Sequence, residues 1–135
     1  MKFYLAPMEG ITGYIYRNAY HQIFLPMDKY FSPFLAPNQS RSLTTRELQD
    51  ILPENNPGIP LVPQILTNQW EDFVWATEKL RELGYREVNL NLACPSGTVT
   101  AKGRGAGFLA NPGGLDRFQD NIFPRSTAEI SIKTR

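Results

Sequence analysis

Apolar and polar positions along the chain follow two periods that alternate with each other. Short segments rich in β-branched and aromatic residues predict strands, and longer segments with apolar residues three and four positions apart predict helices. The predicted strands are residues 2–5, 29–35, 59–66, 87–92 and 129–133, and the predicted helices are residues 13–24, 44–52, 68–84 and 114–123.

The middle of the chain has the most regular pattern. Its helix carries one stripe of inward residues, which are Phe73, Ala76, Thr77 and Leu80. Gly84 then ends the helix. Residues 87–92 (Glu-Val-Asn-Leu-Asn-Leu) alternate strictly, which is typical of a strand.

Local signals mark two helix starts and one doubtful strand. Thr44 with Glu47 three positions later resembles a capping box, and Asn68 with Glu71 has the same spacing, so Asn68 is predicted to cap the second helix. Pro63 weakens the strand at 59–66, because proline lacks the N–H of a sheet ladder and suits edges or bulges.

Alternation of strands and helices at this spacing predicts a parallel sheet with crossover helices. The doubly wound sheet and the eight-stranded α/β barrel both remain open on this pattern. The chain holds about five strands, whereas a barrel needs eight and typically ~250 residues. It also ends at a strand end, so we expect a truncated barrel.

Composition is that of an ordinary globular protein of 135 residues, with 41% hydrophobic and 20% charged residues. The net charge of +1 neither requires nor excludes a nucleic-acid partner. We expect a cytoplasmic location and no membrane association, since there is neither a spanning apolar run nor room for a signal peptide. With one cysteine (Cys94) and one histidine (His21), we expect no metal site.

Polar residues follow the predicted strands where the loops begin. In an α/β barrel these loops build the active site. The residues concerned are Glu9, Gln64, Asn91, Cys94, Lys133 and Arg135. Cys94-Pro95 follows its strand directly, and residues 103–107 (Gly-Arg-Gly-Ala-Gly) come soon after it. Proline stiffens the loop, and the glycines let its backbone approach a ligand closely. The spacing of these glycines does not match a dinucleotide-binding fingerprint.

These segments resemble the tRNA-dihydrouridine synthase family, in which Asn-x-Gly-Cys-Pro is followed by Lys-Gly-x-Gly-Ala. The matching residues are Asn91, Cys94, Pro95, Lys102, Gly103, Gly105 and Ala106. Three more segments resemble the family in the same order: residues 6–12 with Arg17, then Gln64, then residues 132–135. Ala93 replaces the usual glycine before the cysteine, and Gly13 stands where an aspartate is common.

The resemblance implies an FMN-binding TIM barrel that reduces a uridine of tRNA to dihydrouridine, with NADPH as the reductant. It assigns Cys94 as the general acid that protonates one carbon of the uracil double bond while the flavin passes hydride to the other. An ordinary thiol is protonated near neutral pH, which suits this role. The cofactor-binding residues that it implies are Pro7, Met8, Glu9, Gln64 and Lys133.

For the substrate, the resemblance implies that Asn91 binds the uracil edge of a base flipped out of the tRNA. Lys102, Arg104 and Arg135 are the expected further contacts to the tRNA. The resemblance also implies later strands, loops that hold the FMN phosphate and a C-terminal helical tRNA-binding domain, which we expect outside residues 1–135. We therefore expect this chain alone to be inactive and to self-associate through its unpaired edges.

Two other functions remain possible at this level. One is another FMN-dependent barrel oxidoreductase that acts on a small molecule and is indifferent to tRNA. The other is a fragment without catalytic activity, which would bind no flavin. From composition alone Cys94 is more often a small buried residue than a catalytic one, and Gln64 and Asn91 would more often satisfy buried backbone groups.

Overall fold

The strands pair with one another in the order in which they occur in the chain. A computed structural model describes residues 1–38 and 40–135. The strands are β1 (Tyr4–Leu5), β2 (Lys29–Leu35), β3 (Leu61–Ile65), β4 (Glu87–Asn91) and β5 (Glu129–Lys133), and the α-helices are α1 (Tyr14–Ile23), α2 (Thr45–Ile51), α3 (Trp70–Glu82), α4 (Gly97–Thr100) and α5 (Pro112–Ile122). Two 3-10 helices cover Pro53–Asn55 and Gly105–Ala110.

All four strand pairs are parallel, and the sheet order is β1-β2-β3-β4-β5. A doubly wound sheet reverses its strand order at a switch point, whereas a barrel adds each strand next to the preceding one. The sequential order therefore decides between the two predicted architectures. The fold is α/β, and its five strands form part of a (β/α)8 barrel.

The two faces of the sheet differ in polarity, and β4 illustrates why. Its alternation directs Val88 and Leu90 to the convex face, where both are fully buried against the helices. Glu87, Asn89 and Asn91 point to the concave face instead. The core therefore lies between the sheet and helices α2, α3 and α5, and the polar face is left for the site.

The proline in β3 is accommodated by an irregularity in the neighbouring strand. The β2–β3 register shifts between Phe31 and Phe34, so that Ser32 and Pro33 lie opposite Pro63. The Gln64 N–H donates to the Ser32 hydroxyl at 3.0 Å in place of a regular ladder bond. The predicted strand is confirmed, and it is a buried central strand that tolerates proline because of this bulge.

One of the two predicted helix caps is confirmed and the other is wrong. Thr44 and Glu47 form a reciprocal capping box at α2. At α3 the N-cap residue is Gln69, whose side chain makes no cap bond. Asn68 instead donates its side-chain amide to the carbonyls of Lys102 and Gly103, because the loop after β4 folds over the start of α3.

The loop after β4 is more regular than the sequence indicates. Residues just after Ser96 form α4, the glycine-rich segment leads into the second 3-10 helix, and these two helices pack against each other. Helix α5 begins at Pro112, two residues earlier than predicted, and the side chain of its N-cap residue, Asn111, accepts from the Gly114 N–H at 3.0 Å. In the described part of the chain, no helix combines the length and the apolar character needed to cross a bilayer.

Candidate active site

A cavity of about 300 Å³ lies where β3, β4 and β5 end and the first loop begins. Eight of the ten site residues predicted from the sequence line it: Pro7, Met8, Glu9, Gln64, Asn91, Cys94, Lys133 and Arg135. They come from distant parts of the chain, and parallel strand ends bring them together. Pro33 and Phe34, next to the β2 bulge, add an apolar wall that the sequence did not reveal.

Lys102 and Arg104, the other two predicted residues, do not line the cavity. Lys102 is exposed and Arg104 is half-buried, on the loop that precedes the second 3-10 helix. The backbone of this loop is tied to Asn68 and lies beside the cavity. These two side chains can therefore meet only a ligand that extends beyond the cavity.

Three buried amides and a serine form one hydrogen-bonded chain beneath the cavity. Asn91 donates to the Gln64 side-chain oxygen at 2.6 Å, and Gln64 donates to the Asn89 side-chain oxygen at 2.8 Å. Asn89 donates to the Ser131 hydroxyl at 3.0 Å, which donates in turn to the Val88 carbonyl at 3.4 Å. The exposed fractions of Gln64, Asn89 and Asn91 are only 0%, 2% and 4%, so these bonds replace water.

Cys94 is held through its backbone on both sides. Its N–H and the N–H of Ala93 each donate to the Asn91 side-chain oxygen at 2.9 Å. Its carbonyl accepts from the Ala106 N–H at 3.0 Å. The thiol is partly exposed at the cavity, on a backbone that strand β4 and the glycine-rich loop both restrain.

The glycines of this loop are required by packing within the protein. Gly105 has φ +56°, and a Cβ there would lie 2.7 Å from the Cys94 carbonyl oxygen. A Cβ at Gly107 would lie 2.6 Å from the Thr100 carbonyl oxygen. The backbone that these glycines approach closely is therefore the cysteine loop and α4.

The first loop, which brings Met8 and Glu9 to the cavity, is anchored by a buried cation. Thr12 exchanges hydrogen bonds with the backbone of Met8, and the Arg17 guanidinium donates to the Thr12 carbonyl at 3.0 Å. Arg17 is fully buried and also donates to the Asp50 carbonyl and to the Asn56 side-chain oxygen. Its burial lowers the pKa of the guanidinium, an effect that nearby Asp50 opposes.

Gly13, the position at which the resemblance leads us to expect an aspartate, receives its cap from another helix. Gly13 is the N-cap residue of α1 and has no side chain to offer. The Asp50 carboxylate of α2 accepts from the Tyr14 N–H at 2.8 Å and does the capping instead. A Cβ on Gly13 would lie 3.0 Å from that carboxylate oxygen, so Asp50 occupies the space of the missing side chain.

Charges around the cavity are mostly positive on the β5 side. Lys133 and Arg135 line it there, and Glu9 lines it on the opposite side. Partial burial raises the pKa of the Glu9 carboxyl, and the nearby Arg46 counteracts part of that rise. Below the cavity, Lys29 pairs with Glu87, and their hydrogen bond raises the pKa of the lysine.

The arrangement fits a flat heterocycle with carbonyl groups along one edge. The apolar wall of Pro33, Phe34 and Met8 suits a ring, and Met8 is 59% exposed and free to cover it. Asn91 keeps one unused N–H, because its NH2 has two and donates one to Gln64, while its oxygen already accepts two bonds. Gln64 keeps one N–H and one lone pair. Among the described residues, no three His, Cys, Asp or Glu side chains converge as a metal site would need.

Asn89 and Ser131 are the polar members that the sequence interpretation missed. The alternation of β4 places Asn89 on the same face as Asn91, so the strand pattern held the signal for Asn89. Ser131 pairs with Asn89 across the β4–β5 ladder, and that register is not visible in the sequence. Neither residue lines the cavity that contains Cys94. Both lie below it on the concave face of the sheet, where they support Gln64 and Asn91.

Comparison with known proteins agrees with this picture. Residues 4–135 match the family described as dihydrouridine synthase (Dus). A probable tRNA-dihydrouridine synthase of Staphylococcus epidermidis is 27% identical over 98% of this chain and 40% of its own length. One from Staphylococcus aureus and the probable tRNA-dihydrouridine synthase 2 of Bacillus subtilis are both 28% identical over 82% of this chain and 34% of their own lengths. The chain thus spans well under half of these relatives.

Proposed function

The chain belongs to the dihydrouridine synthase family, and on that basis we propose that the whole protein reduces uridine in tRNA to 5,6-dihydrouridine. The observation that carries the proposal is the cavity in which Cys94, Asn91, Gln64 and Lys133 meet. Because the chain covers only 34–40% of its relatives, activity is proposed for the whole protein. A cytoplasmic location is part of the same proposal.

The cofactor proposed for the cavity is FMN. Once bound and reduced by NADPH, it would supply the hydride for the uracil double bond. Pro7, Met8 and Glu9 would hold it from the first loop, and Gln64 would bond its ring edge with the N–H and lone pair that remain free. Lys133 would stabilise negative charge on the reduced ring. The donor set and the apolar wall support this assignment.

Cys94 is proposed as the general acid, whose Sγ–H proton goes to the uracil carbon that does not receive hydride. A cysteine nucleophile would need a neighbouring base to take its proton, and no imidazole among residues 1–38 and 40–135 lines the cavity with Cys94. The sole histidine, His21, bonds the Tyr30 hydroxyl at 3.0 Å on the α1–β2 side, away from the cavity. The restrained backbone of Cys94 supports a role that depends on the position of a proton.

The substrate contacts follow from the same geometry. Asn91, with one free N–H, would donate to a carbonyl oxygen of the uracil. Lys102, Arg104 and Arg135 would meet the tRNA around the flipped base, because Lys102 and Arg104 lie outside a cavity that holds the base alone. A tRNA substrate thus accounts for cations that a small substrate would leave unused.

The chain by itself is proposed to be inactive and to self-associate. Strands β1 and β5 each have one unpaired edge. Large apolar side chains are exposed near the β1 edge and on α1, including Phe3, Ile15, Ile23, Phe24 and Leu25. Sedimentation velocity tests this: we expect a concentration-dependent increase in mass, and a monomer at all concentrations would contradict it.

A titration with FMN, followed by desalting and flavin absorbance, tests the cofactor assignment. If this chain builds the site, it retains flavin, and Gln64→Ala and Lys133→Ala lose it. Lys79→Ala is the matched control, because Lys79 pairs with Glu82 on the exposed side of α3. For the reaction, whole protein with NADPH and tRNA should form dihydrouridine, and Cys94→Ala should not.

The titration also separates the two alternatives. A small-molecule flavin oxidoreductase would retain FMN and reduce a free enone or pyrimidine at the same rate with or without tRNA. A fragment without catalytic function would retain no flavin and leave the whole protein as the only active form. Turnover of a small enone that tRNA does not inhibit would overturn the tRNA assignment.

A further inference from the structure

The amide chain beneath the cavity begins and ends on backbone groups. At one end the N–H groups of Ala93 and Cys94 can only donate, and both donate to Asn91. At the other end the Val88 carbonyl can only accept, and Ser131 donates to it. The chemistry of the two ends therefore fixes the direction in which every hydrogen bond between them runs.

Each amide inside the chain accepts through its oxygen and donates through its nitrogen. If the Gln64 amide were turned around, its NH2 would face the NH2 of Asn91, and its oxygen would face the oxygen of Asn89. Both contacts would be repulsive, and both lie in a buried layer where water cannot replace the lost bonds. Hydrogen bonds that run in one direction also strengthen one another.

We propose that Asn89 and Ser131 are positioning residues, which hold the Gln64 amide in the orientation that matches the Asn91 amide, itself oriented by the Ala93 and Cys94 N–H groups, and thereby fix the ligand edge that the site accepts. Asn91 becomes a donor-only group toward the cavity. Lys133 and Arg135 are also donors only. These three donors match carbonyl oxygens on the ligand edge, and Gln64 adds one N–H and one lone pair beside them. The ligand part of this inference rests on the proposed function.

The variants that test the chain are Asn89→Leu and Asn89→Asp. Leucine removes the acceptor of the Gln64 N–H and the donor to Ser131. Aspartate keeps an oxygen for Gln64, and its second oxygen can bond the Ser131 hydroxyl. Asn56→Leu is the matched control, because Asn56 is also a buried asparagine (6% exposed) but belongs to the Arg17 cluster.

The first readout is hydrogen exchange of the side-chain NH2 groups in 15N-labelled protein, which needs no flavin. Wild type should protect the NH2 of Gln64 at least about tenfold relative to that of exposed Gln22. Asn89→Leu should abolish the protection, and Asn89→Asp and Asn56→Leu should keep it. Unchanged protection in Asn89→Leu, or equal loss in Asn56→Leu, would overturn the proposal.

The second readout is FMN affinity by fluorescence titration of the whole protein. Asn89→Leu should weaken FMN binding at least about fivefold, with Asn89→Asp close to wild type. Equal affinity of all three proteins, with wild type binding FMN, would overturn the link between amide orientation and ligand recognition. If wild type binds no FMN, the cofactor assignment fails, and the exchange measurement still decides whether Asn89 orients Gln64.

Discussion

Substitution of Gly105 by alanine would test whether the glycine-rich loop holds Cys94 in place. Gly105 has φ +56°, a conformation that costs a residue with a Cβ roughly 1–2 kcal/mol. The added methyl group would also lie 2.7 Å from the Cys94 carbonyl oxygen and 3.0 Å from Val99 Cγ1. Overpacking of this kind costs roughly 1–3 kcal/mol. We therefore expect Gly105→Ala to lower the free energy of unfolding by about 2–5 kcal/mol.

Gly58→Ala separates the two contributions. Gly58 has φ +72°, but no atom lies within 4 Å of its Cβ position. Urea denaturation measures both variants, and Gly58→Ala should lose only the conformational part, about 1–2 kcal/mol. The rate of Cys94 alkylation by iodoacetamide under native conditions is the local measurement, and we expect an increase in Gly105→Ala alone. If the two variants lost equal stability and Cys94 were alkylated at equal rates in both, the idea that the glycine-rich loop holds Cys94 in place would be refuted.

Three further predictions concern stability. Arg17→Met should cost about 3–5 kcal/mol in urea denaturation, because it leaves buried acceptors unpaired, whereas exposed Arg81→Met should change little. Burial raises the pKa of Tyr85 from 10.0 to about 12, so the unfolded chain ionises first and stability falls as pH rises through that window. Tyr85→Phe should remove this part of the alkaline loss, and parallel curves for the two proteins from pH 10 to 12 would contradict the assignment. Thr44→Ala should cost about 1 kcal/mol in thermal denaturation by breaking the α2 capping box, and an unchanged Tm would rule out that contribution.

The presence of each strand and of helices α1, α2, α3 and α5 could be predicted from the sequence, because the spacing of apolar residues that indicates it lies within a short stretch of chain. The strands at 29–35 and 129–133 have the predicted bounds. The strand predicted at residues 87–92 ends at Asn91, one residue earlier than predicted. The Asn68 cap failed for a nonlocal reason. Its spacing is that of a cap, but the loop at Lys102 and Gly103 offers it two carbonyls from 34 and 35 residues away.

That most of the predicted residues line one cavity could also be predicted, since parallel strand ends must converge and the motif residues stand at those ends. The contacts that individual residues make around this cavity were harder to predict. The glycines were expected to face a ligand, yet Gly105 faces Cys94 because the loop folds back as a 3-10 helix. Asp50 caps α1 from another helix, a replacement that no local pattern near Gly13 can indicate.

The spacing of apolar residues, the short motifs and their order can thus be read from the sequence alone, because each strand, helix or motif is marked by residues close together in the chain. They are sufficient for the α/β class, the dihydrouridine synthase family and Cys94 as the candidate acid. The direction of the amide chain, the register that pairs Asn89 with Ser131, and the restraint of Cys94 from both sides depend on atoms brought together from separate strands and loops. Hydrogen-bond direction is set only once every partner is in place, so only the folded structure could decide it.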